Sequence, residues 1–570
     1  MTWTTTSADT FAAKSLAGFV AAHSDSLDPV DGGVVLKSRQ PGQVAVVVGG
    51  GSGHYPAFAG LVGPGLASAA VCGDIFASPS AGQVFRVTHA AEMGAGALLM
   101  YGNYMGDVLN FSHAQEKLRS LGIDVRTVRV TDDVVSAAAD EKHKRRGVAG
   151  DLFVFKVAGA AAARGDTLDS VEDIARRAND SILSFGVAFG GCTLPGASQP
   201  LFSVPEGKMS LGLGVHGEPG IGESPLPTPE ELAAVLVERL MDEPAPSAGN
   251  RVTVLLNGLG TFKYEELFAV YGHIESLLTG RGFEIVRPEV GELVTSLDMA
   301  GCSLSIAWLD EELEQLWLAD CDSPGFKRYR RKALTETAAV RISETQAAKS
   351  YVEPLNSSDY ALLVRAIFDG VAEEMAAAEE ELGELDSKIG DGDHGIGMSR
   401  GSRGAKQLVD SSTSSGTIEL LSSAAEGWSE AGGGTSGAIW GILLGSIATA
   451  LSRQERISSR SLAEAIHYAT ETVQDIGGAQ PGDKTLVDVL VPFSQSFAER
   501  VRAGDPTREA WEAAALAAES AARATADMTP RIGRAKVHAE KSQGIPDAGA
   551  ISLAKVVRRI AQILRQERPS

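Results

Sequence analysis

Cysteine is scarce: four residues in 570, Cys72, Cys192, Cys302 and Cys321, widely scattered and without a C-x-x-C pair. Such usage argues against a disulfide-stapled secreted domain and against a thiolate zinc site, and it fits a reducing cytosol. Basic charge is also in short supply, with 51 Lys and Arg against 73 Asp and Glu and a formal charge of −22. Binding nucleic acid needs a basic face that displaces counterions, so no nucleic-acid partner is expected. Long hydrophobic runs are missing too. The most apolar stretch, Gly437 to Leu451, is interrupted by Gly441, Gly445 and Ser446. It is shorter than the ~20 residues a bilayer crossing needs, so it reads as a buried core helix and no membrane partner is expected. The opening Met1-Thr-Trp-Thr-Thr-Thr-Ser has neither the basic n-region nor the apolar h-region of a secretory signal, and a cytoplasmic location is expected.

What the chain does have is length and glycine. At roughly 100–200 residues per domain it predicts two to four domains. Up to about residue 330 the apolar runs are short and β-branched. Val44–Val48, Ala97–Tyr101, Val125–Val130 and Val252–Leu256 read as strands, and the Ala-rich stretches between them as helices, which predicts parallel α/β construction. From about residue 356 the runs Glu373–Glu381, Ser461–Asp475 and Arg508–Thr525 are rich in Ala, Glu and Leu at helical spacing, predicting an all-α part. The expected division is an α/β domain over 1–334, a polar linker over 335–358 and an all-helical domain over 359–570.

The 64 glycines cluster. Gly49-Gly-Gly-Ser-Gly-His54-Tyr-Pro56 leaves a strand, where bare backbone lets N–H groups approach an oxygen-rich ligand. It is not a dinucleotide fingerprint, because Pro56 stands where the last glycine should be. Gly102-Asn-Tyr-Met-Gly106-Asp107 follows another strand, so Asp107 and His54 could share a crevice at the strands' carboxyl ends; taken alone, Asp107 reads sooner as a solvated loop residue. In Ser210-Leu-Gly-Leu-Gly-Val-His216-Gly-Glu-Pro-Gly220, Leu211, Leu213 and Val215 alternate as a strand that delivers His216 between glycines. A neutral imidazole there is a competent nucleophile toward a ketone, although a structural role is the commoner one for histidine.

In the helical part, Asp386, Asp391 and Asp393 fall within eight residues among Gly390, Gly392 and Gly395. A curled loop could converge them on one cation, and oxygen-only donors favour Mg²⁺; a solvated acidic turn is the alternative. An EF-hand is excluded because Ser402 stands where its Glu should be. Ala431-Gly-Gly-Gly-Thr435-Ser436-Gly437 opens the apolar helix, a phosphate-binding arrangement. Gly477-Gly-Ala-Gln-Pro-Gly482-Asp-Lys484-Thr485 is not a Walker A loop, since Asp483 intrudes and no strand precedes it.

Together with Ala77-Ser-Pro-Ser80, Thr295–Gly301, Gly533-Arg534-Ala535 and Ser542–Ala550, these segments resemble the dihydroxyacetone kinase family, in its fused, single-chain, ATP-dependent form. The resemblance implies an α/β ketose-binding domain followed by a helical barrel that carries ATP and two Mg²⁺ ions. It implies that His216 forms a hemiaminal with the ketone, that Asp107 is the base and that His54 joins them in the catalytic set. Gly51, Ser52, Gly53, His54, Ser78 and Asp107 would surround the hydroxyls. Asp386, Asp391 and Asp393 would hold metal. His394, Gly395, Ile396, Gly397, Thr435, Ser436, Gly477, Leu486, Arg534, Asp547, Ala548 and Gly549 would line the nucleotide. A small ketose is thus the expected substrate and a homodimer the expected assembly.

The family usually has lysine at the position of Gly102, an acid at Tyr55, histidine at Phe58 and proline at Ala548. The first three changes predict a reshaped pocket that prefers erythrulose to dihydroxyacetone. Alternatives within the family's reach are a ketose-sensing regulator without phosphoryl transfer and a cyclising cleavage of FAD.

Overall fold

A computed structural model of the chain describes residues 8–218, 220–329, 353–388, 392–532 and 542–566. The chain divides into two compact units, Met1–Ala339 and Val340–Ser570. The first holds eight helices among its described residues: α1 (Ala8–Ala22), α2 (Ala81–Ala91), α3 (Met105–Ser120), α4 (Asp151–Arg164), α5 (Leu168–Asp180), α6 (Pro229–Met241), α7 (Tyr264–Gly280) and α8 (Glu311–Leu318).

Its first sheet contains β1 (Leu27–Val30), β2 (Gly33–Leu36), β3 (Ala45–Ser52), β4 (Ala69–Ile75), β5 (Ala97–Gly102) and β6 (Val125–Val130), in the order β1-β2-β4-β3-β5-β6. Pairings β3–β4, β3–β5 and β5–β6 are parallel. Near-continuous apolar strands follow from burial on both faces. Val46, Val48, Leu98 and Met100 pack on Leu152, Phe155 and other residues of α4, while Ala45, Val47, Leu99 and Tyr101 pack on Val84 and Val87 of α2 and Phe111 and Leu118 of α3. Each large side chain so buried contributes about 1.5–3 kcal/mol relative to exposure. The sheet's carboxyl edge carries the glycines that end β3, the short link from Gly102 of β5 into α3 and the approach to α4 after β6.

The second sheet departs from the expected parallel construction. It comprises β7 (Ile182–Ala188), β8 (Lys208–Leu211), β9 (Gly222–Pro225), β10 (Arg251–Gly258), β11 (Glu284–Ile285), β12 (Glu289–Gly291) and β13 (Gly301–Trp308). β10, around Val252–Leu256, runs antiparallel to β13, which runs antiparallel to β7; only the short β11 and β12 lie parallel to β10. A β-branched run gives a strand but carries no information on its neighbour's direction. The strand expected through Val215 also ends early, at Leu211, because Gly212 turns into the left-handed region (φ +71°). His216 therefore sits on a loop.

In the second unit α9 (Ala361–Ala377), α10 (Glu379–Ser387), α11 (His394–Ser411), α12 (Thr417–Gly432), α13 (Gly434–Leu451), α14 (Ser459–Gly477), α15 (Val487–Arg502), α16 (Thr507–Ala524) and α17 (Ala548–Gln566) follow in order. α9 packs on α11, each helix from α11 to α16 packs on the next, and α17 returns to α9, closing an eight-helix barrel with α10 alongside. The barrel encloses a cavity of about 450 Å³ lined by apolar side chains such as Phe368, Trp428, Trp440, Leu444 and Trp511. Among the described residues α13 is the one helix long and apolar enough to cross a membrane by composition; here it is a stave, with Trp440, Leu443 and Leu444 buried. Most of the expected linker lies outside the described residues. Its described end, 353–358, is built into the helical unit: the Glu353 carboxylate accepts the N–H of Ile418 and Glu419 at the start of α12, and Thr417 N–H donates to Ser357 Oγ.

Candidate active site

A cavity of about 270 Å³ lies at the carboxyl edge of β3 and β5, lined by Gly50, Gly51, His54, Ser78, Gly102, Asp107 and His216 among others. Glycine is required here partly by packing: a Cβ on Gly50 would lie 2.5 Å from the Phe58 ring, and one on Gly51 2.8 Å from Ala77 N. Phe58 does form part of the cavity wall, whereas Tyr55 is half exposed and does not line it. Nor do Ser52 and Gly53 line it, since Ser52 Oγ donates to Gly73 O at 2.6 Å. Gly102 is buried rather than facing solvent; the space a side chain would take is bounded by the Tyr104 ring at 3.1 Å and Gly147 O at 3.2 Å from its Cβ position.

His54 is buried, stacked on Phe76, with Nδ1 2.7 Å from Thr295 O. A carbonyl can only accept, so Nδ1 carries the proton and Nε2 presents a lone pair. That Nε2 lies 3.1 Å from Nε2 of His216. Burial and the neighbouring His216 push the His54 imidazole down to about 3, so it is neutral at physiological pH. On His216, Nδ1 lies 3.2 Å from Glu218 Oε1, and the backbone N–H donates to Glu218 Oε2 at 3.0 Å. One carboxylate thus fixes both the ring's proton and its loop. Glu218 is backed by Arg146 at 3.6 Å, which is itself held by two bonds to Asp133. Burial alone would raise Glu218; the His216 hydrogen bond and charge, with Arg146, hold it down at about 2.

Asp107 stands in the first turn of α3, 7% exposed, and its Oδ1 has no hydrogen-bond partner among the described residues. Burial pushes it up to about 6 against the opposing pull of Ser78 and His216, so it is mostly ionised at neutral pH. Sequence reasoning gave no role to Tyr104, Arg146, Asp151, Glu218 and Thr295. Tyr104, Glu218 and Thr295 lie inside segments already singled out, whereas Arg146 and Asp151 carried no local signal.

In the helical unit a pocket of about 610 Å³ is lined by Asp386, Asp393, His394, Ile396, Gly397, Thr435, Ser436, Gly477, Leu486, Asp547, Ala548 and Gly549. Gly395 is not in the wall: a Cβ there would lie 2.0 Å from Glu379 O, so it serves the close approach of α11 to α10. Asp391 and Arg534 lie outside the described residues. Asp386 Oδ2 accepts the N–H of Gly392 at 2.9 Å and of His394 at 3.4 Å, folding the acidic segment back on α10. Among the described residues no set of three metal-ligating side chains is gathered. The Asp386 and Asp393 carboxylates nonetheless share a wall with hydroxyls and with no sulfur donor, a set that fits a hard cation such as Mg²⁺.

Gly433 and Gly434, both at positive φ, open α13 so that Thr435 and Ser436 meet the pocket at a helix N-terminus suited to phosphate. His394 ties three helices together, 2.9 Å from Ser552 Oγ and 3.3 Å from Ser436 Oγ. Lys484, met in the sequence only within the rejected Walker A reading and given no role there, also stands in this wall. Its ammonium donates to Met528 O at 3.1 Å and Ser542 O at 2.7 Å, bracing the segments before Asp547. Burial pushes Asp547 up to about 7, and its Oδ2 accepts Ala550 N–H at the start of α17.

An α/β unit with a buried two-histidine cavity and a helical barrel with a phosphate-type pocket are the two parts of an ATP-dependent kinase, the class to which the relatives below belong. Residues 17–325 match the Dak1 domain and 388–562 the DAK2 domain. The chain is 47% identical to the L-erythrulose kinase of Pectobacterium atrosepticum, covering 100% of this chain and 98% of that one. It is 49% identical to the D-erythrulose kinase of Mycolicibacterium smegmatis, over 97% of this chain and 96% of the relative. Among solved structures it resembles the dihydroxyacetone kinase from C. freundii in complex with AMP-PNP and Mg²⁺, with 28% identity, a TM-score of 0.62 and coverage of 98% and 99%. The chain belongs to the dihydroxyacetone kinase family.

Proposed function

We propose that this protein transfers the γ-phosphoryl group of ATP to a terminal hydroxyl of erythrulose, a four-carbon ketose, held as a hemiaminal on His216. The observation that carries the reading is the Glu218–His216–His54 line in the wall of the 270 Å³ cavity. With Nδ1–H committed to Glu218, Nε2 of His216 keeps the lone pair that attacks the ketone carbon. The C–N bond forms as the carbonyl π pair moves to oxygen, which takes a proton from solvent. Positive charge gained by the ring is offset by Glu218. Asp107 accepts the proton of the terminal hydroxyl as that oxygen attacks the γ-phosphorus, and ADP leaves. Two Mg²⁺ ions, held by Asp386, Asp391 and Asp393, would supply charge neutralisation on the phosphates. Polyols lack a carbonyl and fall outside this chemistry.

The four-carbon preference draws on Gly102, which leaves the cavity without a lysine, and on the names of the two relatives. Coupled ADP release with dihydroxyacetone, D-erythrulose, L-erythrulose and glycerol tests it. Higher kcat/KM for an erythrulose is expected; a clear preference for dihydroxyacetone sinks the substrate assignment, and rapid glycerol turnover sinks the hemiaminal. The division into domains 1–334 and 359–570 joined by a linker over 335–358, and a homodimer, are further parts of the reading, tested by limited proteolysis and by sedimentation.

A further inference from the structure

The chain leaves the carboxyl ends of β5 and β6 for two helices, α3 and α4, that each begin with a buried acid. Asp107 and Asp151 stand in their first turns and line the same cavity. Asp107 has a role in the reaction above. Asp151 has none, although it is the more deeply buried, at 3% against 7% exposed. Its Oδ1 has no hydrogen-bond partner among the described residues. The nearby Asp132 is equally buried but fully engaged, with Oδ1 accepting Val148 N–H at 2.9 Å and Oδ2 accepting Gly150 N–H at 2.8 Å. Asp132 thus braces the approach to α4, whereas Asp151 contributes no such bond. A buried polar group that its own fold leaves unsatisfied weakens the folded state and calls for a functional explanation.

The wall around Asp151 is bare. Gly102 and Gly147 meet backbone to backbone: a Cβ on Gly147 would lie 2.5 Å from Gly102 Cα and 2.8 Å from Asp151 Oδ1. The carboxyl oxygen therefore sits at the wall where a side chain on Gly147 would otherwise stand. Tyr104, the other polar side chain on this side, has its hydroxyl engaged by Gly147 O at 3.0 Å.

We propose that Asp151 is a specificity-determining residue, its carboxyl hydrogen-bonding the hydroxyl on the carbon by which a four-carbon ketose exceeds dihydroxyacetone. The inference rests on the ketose-kinase reading and deepens it. Dihydroxyacetone leaves the buried oxygen unpaired, while the longer ketose satisfies it, and sites of this kind discriminate strongly against a ligand that lacks the hydroxyl. Burial, with Asp132 and Asp107 as acidic neighbours, raises Asp151 well above the carboxylate range. In its neutral form it donates as well as accepts.

The test compares wild type with Asp151→Ala and Asp151→Asn, measuring kcat/KM for dihydroxyacetone and for each erythrulose enantiomer, together with Tm. For Asp151→Ala we expect at least about a tenfold loss on the preferred erythrulose and a change within about threefold on dihydroxyacetone. Asp151→Asn keeps a donor and an acceptor and should retain part of the preference. Removal of an unsatisfied acid should leave Tm unchanged or raise it by about 2–4 °C. Equal losses on both substrates, no loss on either, or a lowered Tm with parallel losses overturns the proposal. Should Asp151→Ala fail to fold, Asp151→Asn with an unchanged erythrulose-to-dihydroxyacetone ratio overturns it instead. A wild type that consumes ATP with none of these ketoses overturns the underlying reading, a result distinct from an active wild type whose selectivity ignores Asp151.

Discussion

Nε2 of His54 and Nε2 of His216 lie 3.1 Å apart across 162 residues of sequence. Both rings have their Nδ1 committed, one to the Thr295 carbonyl and one to Glu218, so both Nε2 atoms turn toward the cavity. Two bare lone pairs at that distance repel, and a ketone carbon bonded to Nε2 of His216 would relieve the contact.

His216→Ala removes the covalent anchor. Ketose binding should weaken and kcat/KM fall by about 10²-fold or more, because the substrate is no longer held in one orientation. Calorimetry with erythrulose reads the binding directly; an unchanged dissociation constant would mean that the ketone does not react with this ring.

Asp107 is raised to about 6, so its basic form is lost as pH falls through that value and is full by pH 8. The wild-type kcat/KM profile should be at half its plateau near pH 6, fall below that and level off by about pH 8. Asp107→Asn should cost roughly 10²–10⁴-fold and abolish the bend. A variant that keeps the same limb would assign it to another group.

Glu218 is depressed to about 2, so its ionised form stabilises the fold above its unfolded pKa of about 4.5, and that contribution is lost as pH falls toward 2. Glu218→Gln retains an acceptor and should lose less activity than Glu218→Ala. The Tm gap between wild type and Glu218→Ala should shrink between pH 5 and pH 3. A gap that is constant over that range would show that the carboxylate's charge is not what holds the loop.

Asp393→Asn should abolish turnover while leaving ketose binding intact, since the carboxylate belongs to the helical unit's pocket. Asp386→Ala should do the same but also cost roughly 1–3 kcal/mol of stability, because Asp386 Oδ2 accepts two backbone N–H groups that the alanine leaves unpaired. Calorimetry of erythrulose with Asp393→Asn is decisive: parallel loss of ketose binding would contradict the separation of the two sites.

Gly102→Lys introduces a side chain into a buried position bounded by Gly147 and Tyr104. It should reduce kcat/KM for erythrulose more than for dihydroxyacetone. Equal reductions would show a blocked cavity rather than an altered preference.

Some of this was legible from one dimension and some was not. Strands such as Ala45–Ser52 and Ala97–Gly102, and helices such as Ser459–Gly477, follow from β-branched runs and helical spacing, which are local properties. The glycine segments announced ligand loops because glycine permits backbone geometry and close approach that a Cβ forbids. The α/β-then-helical order and the family resemblance were likewise carried by the residues themselves. Strand direction in the second sheet was not, because β10 and β13 pair across a long separation that no local pattern encodes. Whether a hydroxyl or a carboxylate faces a ligand was also left open. Ser52, inside the glycine motif, spends its hydroxyl on Gly73 O, and Asp151, which reads as an ordinary acid at a helix start, is buried without a partner at Oδ1. Burial and partnership are properties of packing, set by which distant segments come together, and only the tertiary structure decides them.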